Sequence, residues 1–546
     1  MKANFVKHLR WLWNNIEAIL FFLFFTTFAF NIRKVFLTKY SFLGGEFNEY
    51  MTPSFSWADL LIILLIIIYI TKYLIRQYRN GYSSSLSQEH NVSIKSSSSL
   101  LVSRTSSFIN TIFIRPCQSI IRYTKSARRE TILLILFLGW MAISIIWTPA
   151  KEIALYRVLS ILEVAILALL ALNFARQNRH GHYLIQSALV FCGTIQALIA
   201  VSQFVLNRSL GIRFFGESIL GPNLPGVAKF AIDGAKHIRA YGTFPHPNIL
   251  GGFLLVPIII LSSWLMSRLR KNEDQPMFSR ETIIDKIPTP VLVAILAFLL
   301  VGLFITLSRS AILALVFFGL IFGWQKWKSL NWLWRTSWLV TLALTLFLGS
   351  YLVSHFQLNF LFSDQSLQER NLYLNVARET IAIHPVVGVR IGQFVSQEYS
   401  SHPNLPGWQY QPVHNIYLLI ASELGIVGLV LFLMFLLTSL YNCCEKCIIS
   451  DRNKSVLRLT SYHRTLHCAD SGINTGNSSE QSVLTPQTSV WGTGLTDSHL
   501  CFIIISFLFI SFFDHYLWDL KAGMIIFAIP FILLLGSLRN TKYTSV

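Results

Sequence analysis

Apolar runs of roughly 17 to 25 residues recur along the whole chain, separated by short polar or basic links, and each run is long enough to cross a bilayer as a helix. They predict spans near 14–31, 57–75, 131–148, 152–174, 183–206, 248–267, 290–307, 310–324, 337–353, 414–440, 498–513 and 523–538. The expected architecture is therefore all-α. It is a polytopic transmembrane helical bundle of about 12 spans, with residues 1–546 forming a single integral membrane domain. The links between 290–307 and 310–324 are so short that eleven spans is the neighbouring count. The first run, NIEAILFFLFFTTFAF, lacks a small-residue cleavage site and reads as a retained span.

Composition agrees. Hydrophobic residues make up 53% of the chain and charged residues only 13%, against roughly 25% charged in a soluble domain. The net charge of +19 is explained by loop asymmetry, because basic loops orient spans toward the cytoplasm. Loop 76–130, Arg176/Arg179, Arg268/Arg270/Lys271 and Lys326/Lys328/Arg335 all fall on one side if both termini are cytoplasmic. Residues 32–56, with Arg33, Lys34 and Lys39, fit that scheme less well. No basic stretch is paired with a foldable soluble module, so nucleic acid is excluded as a partner.

The basic, Ser-rich loop 76–130 and the polar loop 441–497 are expected in the cytoplasm. Loops 207–247 and 354–413 are expected outside, and both interleave Pro, Gly and aromatic residues as structured loops do. The larger one is expected to carry short helices. One covers Glu369–Ile383, with Leu372, Val376 and Ile383 on its apolar side and Arg370 and Arg378 elsewhere, suited to lying over lipid headgroups. None of the seven cysteines falls in these outside loops, so no disulfide framework is implied. Cys444, Cys447, His463 and His467 have zinc-finger spacing, but the segment between them lacks a ββα pattern, so no metal site is assigned.

The spans also fix where ionisable groups meet the membrane. His414 opens the tenth span from the outer side, in QPVHNIYLLIASELGIVGLVLF. Arg239 and His246 lie in HIRAYGTFPHPNILGG, just before the sixth, and Arg309 lies in TLSRSA at a tight hairpin between the seventh and eighth. Such groups default to a functional reading, against the bland alternatives of a snorkelling Arg309, a solvated Arg239 and a water-satisfied His414. Guanidinium groups match diphosphate oxygens through paired charge-assisted bonds, and an imidazole accepts a hydroxyl proton near neutral pH. Together they suit transfer of a group from a lipid diphosphate to a hydroxyl, a reaction that demands neither cofactor nor metal. Glu423 lies about 180° around the helix and roughly 13 Å deeper than His414, so Asn415, or a group from another loop, is expected to orient the imidazole. Ala421, Gly425 and Gly428 form a small-residue stripe that would admit a neighbouring helix. Arg157 is a further candidate phosphate contact, and Asp514 and His515 are candidates to line the site.

At these residues the chain resembles a family. His414-Asn415, nine residues, then Gly425-x2-Gly428 resembles the signature of bacterial O-antigen ligases. RAYGTFPHPNILGG and TLSRSA look like the two arginine stretches of the wider O-antigen ligase and polymerase superfamily. ARETIAIHPVVGVRIGQF is similar to its outer-loop element, with Arg390 where a second glycine is usual. The resemblance implies a glycosyltransferase of the inner membrane working at the periplasmic face without metal or nucleotide sugar. Its donor would be an undecaprenyl-diphosphate-linked glycan, with His414 as base and Arg239 and Arg309 on the diphosphate. The acceptor would be a glycan or lipid-linked sugar if the protein is a ligase, another repeat if a polymerase, or a protein hydroxyl if an O-oligosaccharyltransferase. From a different class, a multispan transporter remains an alternative, although no internal repeat is visible and the polar groups gather at one face rather than the midplane.

Overall fold

The computed structural model describes residues 2–88, 125–178, 180–232, 235–271, 286–326, 364–442 and 497–537. The predicted span 337–353, the four zinc-spaced residues and most of loops 76–130 and 441–497 lie outside them. The described residues are mostly helical. In chain order the helices are α1 (Lys2–Thr27), α2 (Trp57–Gln88), α3 (Lys125–Ser144), α4 (Lys151–Gln177), α5 (Gly181–Leu206), α6 (Pro247–Lys271), α7 (Thr289–Ile305), α8 (Arg309–Lys326), α9 (Asp364–Ile383), α10 (Phe394–Ser401), α11 (Ile416–Asn442), α12 (Asp497–Ile510), α13 (Tyr516–Asp519) and α14 (Lys521–Ser537). Three two-stranded antiparallel ribbons lie in the loops, Arg33–Val35 with Ser54–Ser56, Phe42–Leu43 with Glu46–Phe47, and Lys229–Ile232 with Ala235–Ile238.

A helix lies in every predicted span that falls within the described residues, ending short of the predicted bounds at Thr27, Ser144 and Ile510. Among them, α2, α4, α5, α6 and α11 contain stretches long and apolar enough to cross a membrane, and α7, α8 and α14 contain shorter apolar ones. The protein is an all-α integral membrane protein. Helix α6 is its axis: 89% of the apolar window is buried, against 28–50% for the other four. Around it pack α5, α7, α8, α12 and α14, while α4 lies against α14 and α1 against α5. The outward faces carry exposed Phe22, Ile67, Leu159, Phe191, Leu198, Ile426 and Val430, which is how a helix looks when lipid rather than water covers its far side.

The loops gather at one end of this bundle. Asn48, between the first two helices, donates to the carbonyls of Gly407 (3.0 Å) and Tyr410 (2.8 Å). Thr243 Oγ1 donates to Ala29 O at 2.8 Å, and Ile416 N to Ser511 O at 2.9 Å. Four chain segments far apart in sequence are thus tied into one cap.

Helix α9 corrects its predicted face. Its buried stripe is Tyr373, Val376, Ala377 and Thr380, with Leu372 only partly buried, while Ile383 is 67% exposed. The stripe is set by Tyr373, whose hydroxyl donates to Gln409 O at 2.7 Å, and Ile383 falls at the last residue before the His384-Pro385 turn, beyond that contact.

The small-residue stripe of α11 is also corrected. Gly425 does not serve a neighbouring helix: its φ is +67°, and the helix opens there. Ile426 N donates to Pro385 O (2.8 Å), Val389 N to Ser422 O (2.8 Å) and Arg390 N to Glu423 O (2.7 Å), so segment 385–390 is threaded onto carbonyls that an unbroken helix would use internally. The Glu423 carboxylate accepts from the Gly392 and Phe394 N–H groups. A Cβ at 425 would sit 2.0 Å from Val386 O in a backbone region hostile to L side chains. Gly425→Ala is therefore expected to cost roughly 3 kcal/mol or more, read as a clear fall in the thermal stability of the detergent-purified protein. Unchanged stability would contradict this docking.

Candidate active site

The stretch RAYGTFPHPNILGG folds as a strap that leads into α6. Two α5 glutamines hold it: Gln203 Oε1 accepts from Tyr241 N (3.2 Å) and Gly242 N (2.9 Å), and Gln196 Oε1 from Thr243 N (2.9 Å). Arg239 is pinned by its own strap and by the turn between α7 and α8. Its Nε donates to Thr306 O at 2.7 Å, three residues before Arg309, and its Nη2 to Asn248 Oδ1 at 2.7 Å. At Gly252 a Cβ would lie 2.0 Å from the Tyr516 hydroxyl, so only glycine lets the start of α6 approach α13 this closely.

That approach carries the series onward. Asn248 Nδ2 donates to Asp514 Oδ2 at 2.8 Å. The other oxygen of Asp514 stands 3.6 Å from His414 Nδ1, a charge contact just beyond hydrogen-bond distance. The His414 ring lies 4.8 Å, centroid to centroid, from His515, and His515 Nδ1 is 2.8 Å from Asp519 Oδ2. Tyr373 covers another side of His414, with ring centroids 5.9 Å apart. Arg239, Asn248, Asp514, His414, His515 and Asp519 therefore form one continuous series of contacts. His414 is its open member, its side chain 21% exposed against 5% for Asp514 and 4% for His515.

Electrostatics divide the groups. Burial holds Arg239 down to about 10, with Arg309 and Arg370 adding like-charge repulsion; it remains a cation at neutral pH. Arg370 also acts on Arg309 and on His414, so each of the three guanidinium groups adds repulsion to the next. Burial and Arg239 push His246 down to about 3, leaving a neutral ring whose Nδ1 accepts from Asn248 N at 3.2 Å. Burial lowers His414, helped by His515 and Arg370 and opposed by Asp514. In His515 the effect of burial is overcome by Asp519, which raises it. Burial works against ionisation of Asp514, but its three histidine neighbours hold it below the usual carboxylate range. Two adjacent imidazoles are thus driven in opposite directions, the pattern that separates base from acid. His414, Asp514 and His515 place ligand atoms within 4.8 Å of one another, and His515 Nδ1 is also 2.8 Å from Asp519 Oδ2.

Not every sequence candidate joins this series. Asn415 does not orient the imidazole: its Oδ1 caps α11 by accepting from Leu418 N (3.0 Å), and its Nδ2 donates to Phe512 O (3.3 Å). The group from another loop is Asp514. Arg157 is buried, and its guanidinium donates to two backbone carbonyls, those of Asp519 and Tyr50. It braces the loop that carries His515. Arg378 is exposed two turns beyond Arg370 on α9, roughly 12 Å along the helix. Asn248 ends the RAYGTFPHPN stretch but was given no role of its own, and Tyr373 and Asp519 went unnoticed. Asp519 left a signal in the His-x3-Asp spacing that places two side chains on one face of a helical turn.

Residues 294–433, about a quarter of the chain, match the family model described as O-antigen ligase. Over that stretch the chain is similar to the O-antigen ligase family. No curated protein matches the sequence. The matched stretch holds Arg309, Arg370 and His414, while Arg239, Asn248 and Asp514, which contact one another and His414, lie outside it. The match supports a ligase-like glycosyl transfer in general, performed by an integral membrane protein.

Proposed function

We propose that the protein transfers a glycan from an undecaprenyl-diphosphate carrier to an acceptor sugar hydroxyl at the periplasmic face of the inner membrane, in the manner of an O-antigen ligase. The observation that carries this reading is the contact series from the Arg239 guanidinium through Asn248 and Asp514 to His414. It sets a cation for the leaving diphosphate and a base for the incoming hydroxyl on the same framework.

Asp514 faces Nδ1, which favours a proton there and leaves Nε2 as the acceptor. The acceptor oxygen forms a bond to the anomeric carbon of the donor as the bond from that carbon to the diphosphate oxygen breaks. The hydroxyl proton passes to His414 Nε2. The lipid diphosphate departs with its charge held by Arg239, Arg309 and Arg370, whose bonds strengthen as charge develops. Asp514 stabilises the imidazolium that results.

Purified protein, supplied with a polyprenyl-diphosphate-linked glycan and a sugar acceptor, is expected to release lipid diphosphate without any nucleotide sugar. Because His414 must be neutral and its titration is lowered, the rate should hold as pH falls through the ordinary imidazole value near ~6.5 and drop only below it. Asp514→Asn should slow transfer roughly tenfold or more. Removing the charge that favours the imidazolium should also move the acid limb to lower pH. A variant that is slower with an unmoved limb would reduce Asp514 to a structural role, and no lipid diphosphate released by the wild type would favour transport over transfer.

A further inference from the structure

The reacting end of the contact series has a second capability that glycosyl transfer does not use. His414, Asp514 and His515 each bring a ligand atom to within 4.8 Å of the others. Two imidazole nitrogens and one carboxylate oxygen are the donor set of zinc and its neighbours among the divalent transition metals. Magnesium and calcium, which favour oxygen alone, are a poor match.

Each of the three is held as a metal ligand is held. His515 engages Asp519 Oδ2 through Nδ1 at 2.8 Å, which leaves Nε2 for an ion. A carboxylate behind the second ring nitrogen is the usual outer support of a metal-bound histidine. Asp514 is fixed by Asn248 Nδ2 on Oδ2 at 2.8 Å and by His515 N on Oδ1 at 3.0 Å. His414 Nδ1 is buried without a hydrogen-bond partner and stands 3.6 Å from Asp514 Oδ1. Two ligands of a tetrahedral zinc, with bonds of ~2.0–2.1 Å, lie roughly 3.3 Å apart, so this pair is close to coordination distance. The rest of the closure falls to His414, the exposed member of the set, through a turn of its ring. Asp514 and Asp519 supply two negative charges to answer a dication. Repulsion from Arg239 and Arg370, which both act on this region, leaves the site weaker than a closed structural zinc site.

We propose that His414, Asp514 and His515 bind a divalent transition-metal cation of the zinc class, and that the bound ion switches the site off. Coordination uses the lone pair of His414 Nδ1. The imidazole stays neutral while its proton moves from Nδ1 to Nε2, so the nitrogen that would accept the hydroxyl proton already carries one. Asp514, which would stabilise the imidazolium, is spent on the metal at the same time. The switching off rests on the glycosyl-transfer reading, whereas the binding rests on the three side chains alone.

The test uses the full-length protein in lipid nanodiscs, stripped with a chelator, with cobalt(II) and zinc(II) chlorides as probes and magnesium chloride as the hard-cation control. Cobalt should bind at one ion per chain and give the intense visible absorption of a four- or five-coordinate site, which zinc bleaches by displacement. His515→Gln should lose the band. Asp519→Asn, which keeps all three ligands and removes only the support of His515, should weaken cobalt binding roughly 10- to 100-fold. His237→Gln, on the ribbon away from the cluster, should bind cobalt as the wild type does. Wild-type transfer should fall roughly tenfold or more at the zinc concentration that displaces cobalt, recover with EDTA, and ignore magnesium at that concentration. Absence of the cobalt band in the wild type, or an unchanged band in His515→Gln, would overturn the metal site whatever the transfer assay shows. Zinc that displaces cobalt while transfer continues unabated would overturn the switch. A metal site that behaves as described, in a protein that transfers no glycan even after chelation, would uphold the binding and strike the transfer reading instead.

Discussion

His414→Ala is expected to lower glycan transfer roughly 10²- to 10⁴-fold, the range that a positioned general base supplies, while folding and membrane insertion persist. The side chain is the exposed member of its cluster and makes no hydrogen bond on which α11 depends, since Asn415 caps that helix and Ile416 N is held by Ser511 O. Its loss removes no core. What disappears is the open imidazole of the series: His515 is buried against Asp519, and His246 lies in the strap with its Nδ1 accepting from Asn248 N. The variant should still bind the diphosphate donor, because Arg239 is anchored on Thr306 and Asn248 without it. Transfer assays on reconstituted protein decide the matter. A wild-type rate in His414→Ala would remove the base assignment.

Arg239→Lys carries the second large effect. Lysine preserves the charge yet cannot reproduce a guanidinium that holds Thr306 O with Nε and Asn248 with Nη2 while offering its remaining N–H groups to a substrate. Charge-assisted hydrogen bonds are worth about 1.5–3 kcal/mol each, so transfer should fall roughly 10- to 100-fold, with most of the loss in donor binding. Arg309→Lys should be milder in structural effect, since Arg309 is exposed at the start of α8, but similar in direction. Donor titrations separate the cases: full activity with an unaltered donor KM in both lysine variants would show the two arginines to be anchors only.

How much of this was readable from the sequence depends on the kind of interaction. The helices were, because long apolar runs leave a chain few alternatives in lipid. Arg239, Arg309 and His414 stood out because ionisable groups at the ends of apolar runs are rare. Their pairing did not. Asp514 was legible only as a candidate lining residue and Asn248 only as the end of the first arginine stretch, and their contact, 266 residues long in sequence, forms where α6 and the loop before α13 meet at Gly252. Gly425 was visible as a small residue, but its positive φ is imposed by segment 385–390 docking on α11, and no local pattern encodes that. Arg157 was legible as a candidate phosphate contact, and its guanidinium donates to the carbonyls of Asp519 and Tyr50, partners that a guanidinium in a span does not announce.

The central claim is that one pocket joins the arginines to His414. A cryo-electron microscopy map of the full chain with an unreactive polyprenyl-diphosphate sugar tests it most directly. The account expects the diphosphate between Arg239 and Arg309, and the anomeric carbon roughly 4–6 Å from His414 Nε2, leaving room for an acceptor oxygen in attack position. A diphosphate bound at the opposite end of the bundle, or beside the arginines with its sugar directed away from His414, would contradict it.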